Sequence, residues 1–340
     1  MTDSGRMTLD PVAPSPLRLT RRQCLGALGS LLLLPVAHGQ VQTANPMRGV
    51  FMILSTPYDQ DGAVDYEDLA GQVGFLARCG VQGLVWPQNS SEQRYLSKAE
   101  RMRGFEVLAE AARGHDMVLV LGVQGDDTAD MVEYARHAET LGPAGMIAIP
   151  PTSAGSLDDI YRYYQTLCGI TARPVFVQTS GGPDIELTVD FLVRLATDFP
   201  QCGYIKEEYG NVQQRMRELI LHRPDPIKSV IGASFGLGWL YEMRIGSDGV
   251  MTGGTMFGDV YASLWELHQQ NRQAELADCY SKLLLMLNLD QLIPGVRLYV
   301  LQKRGIFKTT RSRRGNYAFS AEEIAEMDYR LEALRPWMRV

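Results

Sequence analysis

Cysteine and histidine are scarce in this chain: its 340 residues carry five of each. No Cys-x-x-Cys occurs and no histidines pair at metal-ligand spacing, so a zinc centre is not expected. The cysteines lie far apart, and the density favours single buried thiols, with a disulfide formed outside the cytoplasm as the alternative. Positive charge is not in excess either. The net charge is −6, which excludes the electrostatic footprint of a nucleic-acid binder. No apolar run reaches the roughly 20 residues needed to span a bilayer. No Gly-x-Gly-x-x-Gly follows the first apolar segment, so the dinucleotide fingerprint is missing too. No cofactor or metal is expected.

What is present begins with a leader. Thr20-Arg21-Arg22-Gln23-Cys24-Leu25 sets two arginines before the apolar run Leu25–Val36, and Ala37-His38-Gly39 offers small residues for cleavage. The pattern resembles a twin-arginine export signal over residues 1–39. It implies a periplasmic or secreted protein with no membrane attachment after cleavage. Losing Arg6, Arg18, Arg21, Arg22, Asp3 and Asp10 would take the net charge from −6 to −8.

From residue 50 the chain alternates short apolar runs with amphipathic stretches. Val50–Ser55, Gly83–Trp86, Met117–Gly122, Gly145–Ile149, Pro174–Val177, Gly203–Lys206, Ser229–Ile231 and Gly249–Met251 read as strands. They are continuous rather than alternating, as expected for strands buried on both faces. The stretches between them carry apolar residues near the 3.6 period, as in Leu69, Val73, Leu76 and Ala77. Eight such units predict a (β/α)8 TIM barrel over residues 48–258. An additional helical extension is expected over 259–340. A doubly wound open sheet is the alternative, since periodicity cannot prove closure. Arg311 to Arg314 read as a solvated basic loop within the extension.

In such a barrel the chemistry lies at the C-terminal ends of the strands. That rule selects Thr56, Gln88 to Glu92, Gln124, Pro150 to Ser153, Gln178 to Ser180, Lys206, Ala233 and Thr252 to Thr255. Lys206 is the only lysine among them. An ammonium is costly to desolvate, and burial favours the neutral amine that attacks carbonyls to form imines. The bland reading is a lysine just past the strand, solvated or paired with Glu207 or Glu208.

Six segments stand in order: Ser55-Thr56-Pro57-Tyr58 with Gly62 and Asp65; Glu92, Leu96, Ser97, Glu100 and Arg101; Gly122-Val123; Gly142 to Gly145; Gly203-Tyr204-Ile205-Lys206-Glu207; and Gly246-Ser247-Asp248-Gly249-Val250. Together they resemble the dihydrodipicolinate synthase / N-acetylneuraminate lyase family of class I aldolases. The resemblance implies a lyase acting on pyruvate or another 2-keto acid, with Lys206 as the Schiff-base residue. It implies Gln88-Asn89-Ser90-Ser91-Glu92 as the carboxylate-binding turn, with Asn89, Ser90 and Ser91 as ligands. Thr56 and Met251-Thr252-Gly253 would complete the substrate site, and a homo-oligomer, dimer or tetramer, is implied. Residues 88–92 also read simply as a helix cap, with Ser97 and Glu100 as a second capping pair.

The departures are as informative. Where the family ends its fifth strand in Tyr-Asn-x-Pro, this chain has Gln178-Thr179-Ser180-Gly181. Gln178 would take the tyrosine's catalytic place, yet a neutral amide is no general acid or base near neutral pH. The fourth strand's Pro-x-Tyr is Pro150-Pro151-Thr152-Ser153, and the synthase arginine expected near Gly182 or Pro183 is absent. Two consequences stay open: a different proton carrier, with a bound water, the substrate carboxylate, Tyr209 and Tyr58 as candidates, or loss of carbon–carbon bond activity. Trp86, Gln178, Gly181, Gly182 and Gly253 suggest an enlarged, uncharged pocket for an aromatic or hydrophobic arm. The competing expectations are a keto-acid or carboxylate binder on a decayed barrel and, with no feature in its favour, an inert scaffold.

Overall fold

The computed structural model describes residues 47–340; the leader read over residues 1–39 lies outside them. Eight parallel strands close into a barrel in chain order. They are β1 (Gly49–Ile53), β2 (Gly83–Trp86), β3 (Val118–Gly122), β4 (Gly145–Ala148), β5 (Val175–Gln178), β6 (Tyr204–Lys206), β7 (Ser229–Gly232) and β8 (Gly249–Gly253). Pairing of β8 with β1, from Gly49 opposite Gly249 to Ile53 opposite Gly253, decides for the closed barrel over the open sheet.

Between the strands run α1 (Tyr66–Cys79), α2 (Lys98–Ala111), α3 (Thr128–Leu141), α4 (Leu157–Cys168), α5 (Val189–Asp198), α6 (Val212–Ile220) and α7 (Trp239–Arg244), with α8 (Gly258–Gln269) after β8. Their ends are set locally. Asp65 accepts hydrogen bonds from the N–H groups of Glu67 and Asp68 at the start of α1, and Gly80, at φ 82°, closes it in the left-handed region. Ser97 and Glu100 form the reciprocal capping box of α2.

Strand alternation divides the core in two. Phe51, Ile53, Val85, Val120, Ile147, Phe176, Ile231 and Met251 point inward and fill the barrel. Their neighbours, such as Val50, Leu84, Trp86, Val177 and Val250, face the helices. The interior is therefore packed solid below the rim, and chemistry is confined to the top.

Three further helices follow α8: α9 (Gln273–Leu292), α10 (Val296–Lys303) and α11 (Ala321–Leu334). The stretch 304–320 between the last two is not helical. It crosses the C-terminal face of the barrel instead. Arg313 donates to Glu100 Oε1 at 2.6 Å, to Gly62 O and to Tyr95 O, with its guanidinium 4.7 Å from the Tyr58 ring centre. Ser312 Oγ donates to Glu92 Oε1 at 2.7 Å. The expected solvated loop is thus in large part a docked strap, because Arg313 and Arg314 find carboxylate or carbonyl partners in the β1 and β2 loops, while the Arg311 side chain stays exposed.

Cys79, Cys168, Cys202 and Cys279 are free thiols. Cys168 and Cys202 are not isolated, however: their sulfurs touch at 3.3 Å. Among the described residues no helix is long and apolar enough to cross a membrane, and no group of three or more His, Cys, Asp or Glu is placed to hold a metal ion.

Candidate active site

β6 is three residues long and ends at Lys206. Tyr204 points into the barrel, where its ring lies 5.6 Å from that of Phe176. Two residues further, Lys206 points the same way at the rim. Its register partner is Gln178, two residues beyond Phe176. Lysine and amide therefore stand side by side above an aromatic floor. Lys206 is only 3% exposed. Among the described residues its Nζ makes one hydrogen bond, to Glu208 Oε2 at 2.8 Å.

The two glutamates after Lys206 separate by the same alternation. Glu207 turns outward and is fully buried, and its Oε2 makes an ion pair but no hydrogen bond. Glu207 accepts from Thr179 Oγ1 and Tyr209 N at 2.8 Å and pairs with Arg215 at 3.2 Å. Glu208 turns back to the barrel axis. Its backbone N–H donates to Thr179 Oγ1 at 2.8 Å, and its Oε2 accepts from Ser180 Oγ at 3.1 Å as well as from Lys206.

The β2 turn forms the opposite wall. Asn89–Ser91 is one 3-10 turn, and Glu92 after it sits at φ 58°, a left-handed conformation costly for a side-chain-bearing residue. Ser91 is spent on the fold: its Oγ donates to Leu54 O at 2.6 Å and accepts from Gln88 N at 3.1 Å. Thr56 is spent likewise, donating to Ser91 O at 2.5 Å and accepting from Trp86 Nε1 at 3.1 Å. Ser90 and Asn89 face the mouth. Ser90 Oγ lies 2.8 Å from where a Cβ on Gly253 would be, and Asn89 Nδ2 lies 2.7 Å from the same point on Gly181.

Those two distances correct the expected enlarged pocket. Gly253 and Gly181 are small because Ser90 and Asn89 fill the space, not because a substrate does. Gly182 faces Pro150 O in the same way, at 2.6 Å. Trp86 does not line the site at all. It lies in the outer layer against Phe105, with ring centres 6.0 Å apart. On β8, Met251 belongs to the barrel interior and Gly253 to the rim, while Thr252 alternates to the helix side and is buried.

A chain of amides that sequence reasoning did not assemble runs along the β2–β3 rim. Gln88 Nε2 donates to Gln124 Oε1 at 2.9 Å, Gln124 Nε2 to Pro87 O at 2.8 Å and to Gln93 Oε1, and Gln93 Nε2 to Asn89 Oδ1 at 2.9 Å. The Oε1 atoms of Gln88 and Gln178 are buried without a partner. Arg101 holds this rim in place through Gly122 O and Gln124 O, stacked on Tyr134 at 3.8 Å. Two cavities open here, of about 250 Å³ and 450 Å³, and share Gln93, Arg94 and Gly181. Arg94 is exposed in both. Nothing in its sequence context marked it.

The two candidate tyrosines are placed elsewhere. Tyr209 lines a cleft between α5 and α6 with Asn211 and Glu218, its ring 5.5 Å from the Arg215 guanidinium. Tyr58 lies beneath Arg313. Burial, with the Glu92 carboxylate beside it, pushes its phenol well up. After β7, Ser234 and Phe235 both take positive φ, 50° and 54°. Phe235 is brought within 3.0 Å of the position of a Gly253 Cβ and is covered by Arg297 of α10.

Residues 46–326 match the family model described as the dihydrodipicolinate synthetase family. The chain is 28% identical to a 4-hydroxy-tetrahydrodipicolinate synthase of Porphyromonas gingivalis, over 67% of this chain and 77% of that one. It is 26% identical to an L-2-keto-3-deoxyarabonate dehydratase of Azospirillum brasilense, over 73% of this chain and 81% of the other. The crystal structure of a dihydrodipicolinate synthase from Rhodopseudomonas palustris superposes with a TM-score of 0.77 at 24% identity, covering 85% of this chain and 98% of that one.

Proposed function

Because the chain belongs to the dihydrodipicolinate synthetase family, whose members are class I lyases acting on keto acids through a lysine imine, we propose that Lys206 forms the imine with a 2-keto acid here. The observation that carries this is the lysine's position: buried, on the inner wall of the rim, in register with Gln178. The imine draws electrons from the neighbouring carbon, so that a carbon–carbon bond is cleaved or water is lost. Ser90 Oγ, Asn89 and the leading N–H groups of the Asn89–Ser91 turn, which a helix start leaves without intrahelical partners, would hold the keto-acid carboxylate.

The distal arm of the substrate would enter the cavity of about 250 Å³ lined by Gln93, Arg94, Gln124 and Asp126 and the adjoining one lined by Glu92 and Arg314. Their amides and charges suit hydroxyl or carboxyl groups rather than the hydrophobic arm expected from the glycines. A dehydration or aldol cleavage of a hydroxylated keto acid fits that lining, and the dehydratase relative supports this direction. Export by the twin-arginine leader to the periplasm, and assembly as a dimer or tetramer, belong to the same reading. They are checked by fractionation and light scattering.

Borohydride reduction in the presence of pyruvate tests the chemistry. The expected result is a covalent mass increase on the Lys206 peptide, lost in Lys206→Ala. An unmodified Lys206 across a panel of 2-keto acids would favour the binding protein, for which Gln178 in the tyrosine's place speaks.

A further inference from the structure

If Lys206 forms an imine, protons must move, and the side chain at the end of β5 cannot move them. Gln178 is a neutral amide whose Nε2 donates to Ser180 O at 3.1 Å. Tyr209 faces the α5–α6 cleft, and Tyr58 is pinned under the strap. Glu207 is consumed by Arg215, Thr179 and a backbone N–H. One titratable group touches the reacting nitrogen: Glu208, at 2.8 Å.

Resting on the imine reading above, we infer that Glu208 is the proton carrier of this enzyme, with Ser180 as its hydroxyl partner, in place of the missing tyrosine. Its geometry is that of a working acid–base group. Oε2 is held by Lys206 and Ser180, while Oε1 makes no hydrogen bond among the described residues. Its side chain is 16% exposed, open to the mouth where a substrate arrives. The backbone bond from Glu208 N to Thr179 ties it to the end of β5. Glu208 thus bridges the strand bearing the lysine and the strand that bears the tyrosine elsewhere in the family.

The proton balance closes on this one carboxylate. An ammonium and a ketone become an iminium and water, so two of the three N–H protons leave on the departing oxygen. Glu208 takes the first from Nζ as the amine adds to the carbonyl carbon and hands it to the resulting alkoxide. It takes the second from the carbinolamine nitrogen and gives it to the hydroxyl, which leaves as water and restores the carboxylate. It then accepts a proton from the carbon next to the iminium. The C–H electron pair becomes the enamine double bond, and the iminium nitrogen is neutralised. No oxidant, metal or second substrate is required.

The experiment is deuterium exchange of the pyruvate methyl group in D2O, followed by NMR, together with borohydride trapping. Glu208→Gln keeps the shape and removes the proton chemistry. It should slow exchange by about 100-fold or more, the usual worth of a general acid–base group. Prolonged incubation should still label Lys206. Glu208→Asp should recover part of the rate, and Ser180→Ala should lose less than Glu208→Gln. Melting curves report whether each variant is folded; if the glutamine variant is not, the aspartate and alanine variants carry the test. Exchange within about threefold of the unmutated rate in a folded Glu208→Gln would overturn the assignment. Absence of any adduct in the unmutated protein would instead overturn the imine reading itself.

Discussion

Two buried ion pairs in this protein look alike on paper and are built differently. At the rim, Lys206 meets Glu208; behind β1, Arg304 meets Asp259. The second pair is saturated. Arg304 clamps Asp259 through two bonds of 3.0 and 2.7 Å and also donates to Met256 O and Val340 O. Asp259 additionally accepts from Arg339 N at 2.8 Å and Val260 N at 3.0 Å. It joins the start of α8, the end of α10 and the C-terminus. The rim pair has a single bond between its partners, a free carboxylate oxygen and an open side. The saturated pair knits three chain segments together, whereas the rim pair leaves a carboxylate oxygen free beside the lysine, as the proposed proton transfer requires.

The contrast can be broken by mutation. Asp259→Ala strands a guanidinium in the interior and should cost about 3–5 kcal/mol in urea unfolding, while the folded fraction still traps pyruvate on Lys206. Lys206→Met should do the reverse: no trapping, with stability changed by less than about 1 kcal/mol, because Glu208 can turn to water. A large loss of stability in Lys206→Met would mean that the rim pair is structural after all.

A third buried charge sharpens the point. Glu242 of α7 is buried, and burial pushes its carboxyl up to about 7, opposed only by a hydrogen bond from Gln213. Its Oε2 has no partner. For a carboxyl whose folded pKa is raised, the unfolded chain ionises first as pH rises. Stability should therefore fall between about 4.5, the ordinary value, and about 7, and level off above. Glu242→Gln should flatten that slope and gain about 3 kcal/mol at pH 8 relative to pH 4, read from urea midpoints. An unchanged slope would place the titration elsewhere.

The smallest effect concerns the strap. Arg313 holds the Glu100 carboxyl down at about 2, helped by Ser97. For a depressed carboxyl the stabilisation is fully present above the ordinary 4.5 and is lost as pH falls through about 2. The strap should loosen only in that acid window, seen as faster amide hydrogen exchange over residues 309–315. Arg313→Ala should loosen it at all pH values, at a cost of about 1 kcal/mol for a partly exposed pair.

The barrel was legible because its signal is local. Eight apolar runs, the intervening 3.6-residue periodicity and the capping residues Asp65, Ser97 and Gly80 all act within a few positions of themselves. Lys206 was legible for the same reason: a charge ending an apolar strand breaks the pattern on which burial depends. Closure, by contrast, rests on Gly49 meeting Gly249, two hundred positions apart. The facing of each rim side chain follows from closure. Alternation alone says that Glu207 and Glu208 point apart, but only the barrel decides that Glu208 is the one turned to the axis and Glu207 the one given to Arg215. It also sends Trp86 outward, fills the spaces beside Gly181 and Gly253 with Asn89 and Ser90, and assembles Gln88, Gln93 and Gln124 from two loops. The sequence by itself determined the strands and the lysine that ends the sixth of them, because strand burial and charge are properties of neighbours in the chain. The tertiary structure decided the lysine's partner, the polarity of the pocket and the fate of the arginine strap, because those are contacts between segments that meet only once the barrel has closed.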